Sequence, residues 1–181
     1  MTRQYISFSI PLSGSTLEFS KILSNDIQKN FSLKFMSYKK SRPHINLFSG
    51  HVNNLDKVIN LVKKNLNSNF DLNIKLLGFG AFLTKKPTIY IRFENTPFLK
   101  NIRKTIFETS KNWEEIDNTV YETMWIPKST IVYKDMDIDI LGQVTNFINL
   151  KSIPKKMLIK EIIILNISNA EEELDKIILK K

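Results

Sequence analysis

The chain has 181 residues, enough for one domain or two closely packed lobes, and a formal net charge of +9. It has no cysteine and only two histidines, which excludes disulfides, thiolate zinc sites and cysteine nucleophiles and argues against a structural metal site. No apolar run approaches the roughly 20 residues of a membrane helix, and the opening MTRQYISFSIPL lacks the apolar core of a signal peptide. A cytoplasmic protein, or one acting in a host cytoplasm, is expected, with no membrane partner.

Excess positive charge favours polyanionic partners through field steering and phosphate neutralisation. The lysines come as scattered pairs, such as Lys63-Lys64, Lys85-Lys86 and Lys155-Lys156. Any one pair reads as solvated surface, while the total favours an anionic ligand.

Residues 4–12, QYISFSIPL, alternate and carry β-branched and aromatic side chains, which predicts a strand. In TLEFSKILSNDIQKNF, Leu17, Ile22, Leu23 and Ile27 fall near helical spacing. SYKKSRP reads as a loop, and PHINLFSG as a short strand ending at Gly50. Residues 53–67 give the clearest helix, with Leu55, Val58, Ile59, Val62 and Leu66 on one face and Asn53 or Asn54 as its cap. Residues 70–83 read as a strand with a glycine-marked bend, joined through Thr84-Lys85-Lys86 to a second strand, PTIYIRFEN. Pro97 opens a helix over 97–111. The polar stretch 112–123 carries no periodic signal. A strand follows over 124–134, then a helix over 135–150 with a possible break at Gly142, then one long strand over 156–167. The tail, NAEEELDKIILKK, fits a helix or a strand equally well. Strands and helices mix without regular alternation, which predicts an α+β fold of mainly antiparallel sheets.

PHINLF and PKSTIVY align: Pro43 with Pro127, His44 with Lys128, Asn46 with Thr130, Leu47 with Ile131. From 44 to 128 is 84 positions, about half the chain, so a weak internal duplication is expected. Here the sequence resembles the 2H phosphoesterase superfamily, the 2′–5′ RNA ligase-like and cyclic phosphodiesterase proteins. Four segments carry the resemblance in order: ISFSIPL, RPHINLFSG, GFGAFLTKKPTIYIRF and WIPKSTIVYKDMD. That family bears two HxT or HxS motifs, one per lobe, facing each other across a cleft. The resemblance implies one bilobal domain over 1–181, two pseudo-symmetric lobes, no cofactor or metal, and a monomer whose partner is a nucleotide or RNA end.

The chain departs from the pattern twice. Asn46 stands where Thr or Ser is expected, and Lys128 stands where the second histidine belongs. Phosphodiester cleavage near neutral pH needs a base for the attacking oxygen and an acid for the leaving one, and histidine, with a reference pKa of about 6.5, suits both. By this logic His44 and Lys128 are the candidate catalytic residues. A lysine, with a reference pKa of about 10.4, binds phosphate and can protonate a leaving group, but is a poor base. Asn46 and Thr130 are the candidate phosphate-binding residues. Arg42, Phe48, Trp125 and Tyr133 are possible nucleotide contacts, by charge or by stacking. His51, seven positions after His44, cannot replace the missing partner from the other lobe. The expected activity is metal-independent hydrolysis or processing of 2′,3′-cyclic phosphates, 2′–5′ linkages or cyclic oligonucleotides. The alternatives are a non-cutting nucleotide binder and a protein-interaction module on the same fold.

Overall fold

The structure, a computed structural model, describes residues 4–34, 42–66, 72–109, 113–116, 125–168 and 171–179. Of the expected loop over 37–43, only Arg42 and Pro43 fall among them. In chain order the elements are β1 (Gln4–Pro11), α1 (Gly14–Phe31), β2 (His44–Val52), α2 (Leu55–Asn65), β3 (Asn73–Phe82), β4 (Thr88–Phe93), α3 (Pro97–Glu108), β5 (Trp113–Ile116) and β6 (Lys128–Val132). A 3-10 turn (Ile138–Ile140) then leads into α4 (Leu141–Asn149), followed by β7 (Lys156–Leu158), β8 (Glu161–Asn166) and β9 (Glu172–Ile178).

The helices form where local chemistry closes their ends. Asn54 accepts the backbone N–H of Lys57 at 2.9 Å and caps α2, whose Val58, Ile59 and Val62 are buried. Thr96 caps α3 from Leu99 at 3.3 Å, with Pro97 in the first turn, where its missing N–H leaves no bond unmade.

The strands make two antiparallel sheets, ordered β5-β2-β1-β8-β9 and β6-β4-β3-β7. The α+β expectation is met. Buried side chains from both sheets, including Ile6, Phe8, Ile74 and Ile91, join one apolar cluster with Ile102 and Ile106 of α3 and Val144 and Ile148 of α4. Each motif strand enters its sheet in the same way. The carbonyl of Pro43 accepts the N–H of Leu12 at 2.7 Å, and that of Pro127 accepts the N–H of Phe93 at 2.9 Å. Proline, having no N–H, fits the first position of a strand, where only its carbonyl is used.

Two expectations change, and two stretches left open gain a strand. The long strand over 156–167 is two strands in different sheets: β7 pairs with β3 and β8 with β1, with the crossing at Ile159 and Lys160. An apolar run of period two records burial but not which sheet accepts it. Residues 113–116 of the polar stretch form β5, an edge strand on β2. Gly142 does not break a helix; α4 begins at Leu141, leaving Gly142 in the first turn, and residues 138–140 form the 3-10 turn ahead of it. The tail resolves as a strand, β9, hairpinned onto β8.

Candidate phosphate-binding cleft

β2 and β6 pack against each other where the two sheets meet. His44 is the first residue of β2 and Lys128 the first of β6. Alternation along each strand puts His44 with Asn46, and Lys128 with Thr130, on one face. Pro43, His44, Asn46, Lys128, Ser129, Thr130 and Glu171 line one cleft of about 150 Å³. Drug-sized ligands need roughly 300–1,000 Å³, so this cleft fits a phosphoryl group better than a whole nucleoside.

His44 is oriented by its own chain. Its Nδ1 lies 2.9 Å from the carbonyl oxygen of Arg42. A carbonyl only accepts, so Nδ1 carries the proton of the neutral ring and Nε2 presents a lone pair. The Asn46 amide nitrogen donates to Ser49 Oγ at 2.9 Å, while its Oδ1 is buried and has no hydrogen-bond partner among the described residues. Turning the amide by 180° keeps the Ser49 bond, since the hydroxyl then donates to Oδ1, and moves the NH₂ donors to the orphan position. A register shift opposite Phe8 and Ser9 adds Leu47 as an extra residue immediately after Asn46. Arg103 donates to the Leu47 carbonyl at 3.1 Å, and Trp125 Nε1–H donates to the Asn46 carbonyl at 3.2 Å. The Arg103 guanidinium lies 4.3 Å from the centre of the Trp125 ring. These two side chains clamp the motif strand from behind.

Lys128 Nζ sits 5.5 Å from the ring centre of Phe82 and 5.8 Å from that of Tyr90. Thr130 lies directly across from Tyr90 in the β4–β6 register. Among the described residues, no group of three or more His, Asp or Glu side chains converges as a metal site, and no helix is long and apolar enough to cross a membrane.

A profile of the 2′-5′ RNA ligase superfamily matches residues 23–171. The chain belongs to the 2′–5′ RNA ligase superfamily. This bears out the resemblance to the 2H phosphoesterases read from the two motifs. Among solved structures, E. coli LigT in complex with 3′-AMP superposes with a TM-score of 0.61 at 14% identity, over 100% of both chains. That likeness is one of fold. No curated protein matches the sequence.

Of the residues singled out from the sequence, His44, Asn46, Lys128 and Thr130 meet in the cleft of this superfamily member. The others do not. Arg42 is committed elsewhere: its guanidinium takes Glu173 at 2.9 and 3.1 Å and Glu161 at 2.8 Å. The hydrogen bonds it donates to Glu173 raise its pKa above the usual arginine value, against the opposing effect of burial. Phe48 offers no face for a base; it is 1% exposed and packs edge-on to Phe107. The Trp125 indole is spent on β2 and Arg103. Tyr133 is exposed beneath Lys134, 4.8 Å from its ring centre, and is not a lining residue. His51 stacks on Tyr5 at 4.8 Å, about 23 Å of strand beyond His44 at roughly 3.3 Å per residue. Glu171 was missed. It follows β8 in a left-handed turn (φ 60), and nothing in the tail's composition separates it from Glu172 and Glu173.

Proposed function

We propose that this protein binds the phosphate of a small nucleotide or RNA end in the cleft and hydrolyses its phosphodiester slowly, without a metal. The observation that supports this reading is the hydrogen bond from His44 Nδ1 to the Arg42 carbonyl, which orients the ring of one motif in the cleft that Lys128 of the other motif also lines. His44 Nε2 takes the proton of the attacking water as the new P–O bond forms. Thr130, whose hydroxyl makes no side-chain hydrogen bond among the described residues, and the Asn46 amide donate to non-bridging oxygens. Lys128 balances the charge that builds on the phosphate as the old P–O bond breaks, and the leaving oxygen takes its proton from water. A lysine cannot share the base and acid roles as a second histidine does, so turnover suffers more than affinity. The bound 3′-AMP of LigT supports a nucleotide as the ligand class. A cytoplasmic monomer is part of the same reading.

The test is product formation from 2′,3′-cyclic nucleotides, 2′–5′ oligoadenylates and cyclic dinucleotides, with His44→Ala beside it. Removal of a general base lowers the rate by about 10²–10⁴-fold. A second reading, a nucleotide binder that does not cut, is favoured by Lys128 itself. It predicts ligand-induced thermal stabilisation with no product. Neither product nor stabilisation overturns both and leaves an interaction module.

A further inference from the structure

Among the described residues that line the cleft, Glu171 alone has an acidic side chain, and the motif chemistry gives it no role. A carboxylate beside a phosphate site costs affinity through like-charge repulsion, so its presence calls for a reason. Its placement is specific. Glu171 stands just ahead of β9 with φ 60, in the left-handed region that glycine or asparagine fills at least cost. Two residues on, Glu173 accepts the Arg42 guanidinium at 2.9 and 3.1 Å, and the Arg42 carbonyl accepts His44 Nδ1 at 2.9 Å. The segment that carries the carboxylate is thus braced to the residue that orients the histidine of the first motif.

We propose that Glu171 is a specificity-determining residue that makes the cleft favour ligands with one phosphate charge over ligands with two. A lysine and a glutamate ordinarily carry opposite charges at neutral pH. Lys128 and Glu171 together therefore add no net charge to the cleft, whatever bonds either of them makes. His44 adds at most one positive charge, and only when its ring is protonated. That balance suits a phosphodiester, which carries one negative charge. It disfavours a monoester, which sheds a further proton near a pH of about 6 and then carries close to two. These species are the substrate and the product of the proposed reaction. Hydrolysis adds water across one P–O bond, and the resulting monoester then loses a proton to solvent. The second charge appears only after the bond has broken, so Glu171 weakens the hold on product more than the hold on substrate. This role rests on the phosphate reading above.

The experiment compares the affinities of the full-length protein for 2′,3′-cyclic AMP and for 3′-AMP, read by titration before product builds up. Both are measured at about pH 7.5, where the monoester carries close to two charges. Glu171→Gln raises the affinity for 3′-AMP relative to that for the cyclic nucleotide by about 5–20-fold, since one additional like charge at contact distance is worth about 5-fold in bulk water and more at lower dielectric. Glu171→Asn, whose amide suits a left-handed backbone, gives the same shift and separates loss of charge from backbone disturbance. Glu171→Asp, which keeps the charge, retains the wild-type ratio. Glu172→Gln removes the same charge outside the cleft and leaves the ratio unchanged. An unchanged ratio in Glu171→Gln and Glu171→Asn, with both nucleotides bound, overturns the role of Glu171 and leaves the phosphate reading standing. An equal shift in Glu172→Gln does the same, because any nearby carboxylate would then serve. Failure of every protein, wild type included, to bind either nucleotide overturns the phosphate reading and this proposal with it.

Discussion

At the cleft one position decides the chemistry. His44 and Lys128 enter from equivalent places on two strands, yet an imidazole ordinarily titrates near neutral pH and an ammonium far above it. The rate should therefore rise with pH as His44 loses its proton, and then level off. Lys128→His supplies the missing second ionisation. In that variant the pH–rate profile turns bell-shaped, because one ring must be neutral while the other is charged. Phosphate affinity falls between pH 6 and 8 in both proteins as the His44 ring loses its charge, and falls more steeply in the variant, where a second ring loses its charge too. A single rising limb in both proteins would mean that residue 128 takes no part in the reaction.

His44 is aimed by backbone, so its setting belongs to the elements around it. The start of β2 is tied to β8 and β9 through Arg42, Glu161 and Glu173. Arg42 is partly exposed, so its pairs contribute under about 1 kcal/mol to stability. The raised Arg42 pKa means that this contribution is present at every pH below the ordinary arginine value and is lost only as pH rises through the raised one. Hence no pH dependence near neutrality arises from Arg42. Arg42→Met should leave the melting temperature within a few degrees of wild type and lower kcat more than it raises KM, since the carbonyl that holds His44 remains but its segment is loosened. An unchanged kcat would show that β2 holds its own end. How much of this was legible in the sequence follows the same division. The motif strands, Pro97 and the Asn cap were readable because each rests on neighbours within four residues. The split of 156–167 between two sheets, the edge strand β5 and the arrival of Glu171 at the cleft depend on long-range pairing, which leaves no local period. Phe48 and Trp125 were read as stacking surfaces because an aromatic residue beside a motif looks the same in sequence whether it faces a ligand or the core.

Across the molecule, the charge of +9 and the duplicated motif suggest different ligands. A broad positive field suits a long polyanion, whereas the cleft suits one phosphate. The arrangement of cations favours the cleft. Lys21 pairs with Glu18, Lys63 with Asp175, Lys86 with Asp137, and Lys151 with Asp26, so many lysines already stand beside a carboxylate. At physiological salt, exposed charges more than about 8 Å apart act almost independently. Each phosphate neutralised along a single strand adds about 0.7 to the slope of log K against log salt. A mononucleotide 2′,3′-cyclic phosphate and an RNA hexamer with the same end should therefore show slopes that differ by less than about one, because only the terminal phosphate is gripped. Affinities measured from 50 to 300 mM salt check this. A hexamer slope steeper by two or more would mean that the surface lysines track the backbone, and that the ligand is a strand running across the protein rather than an end held in its cleft.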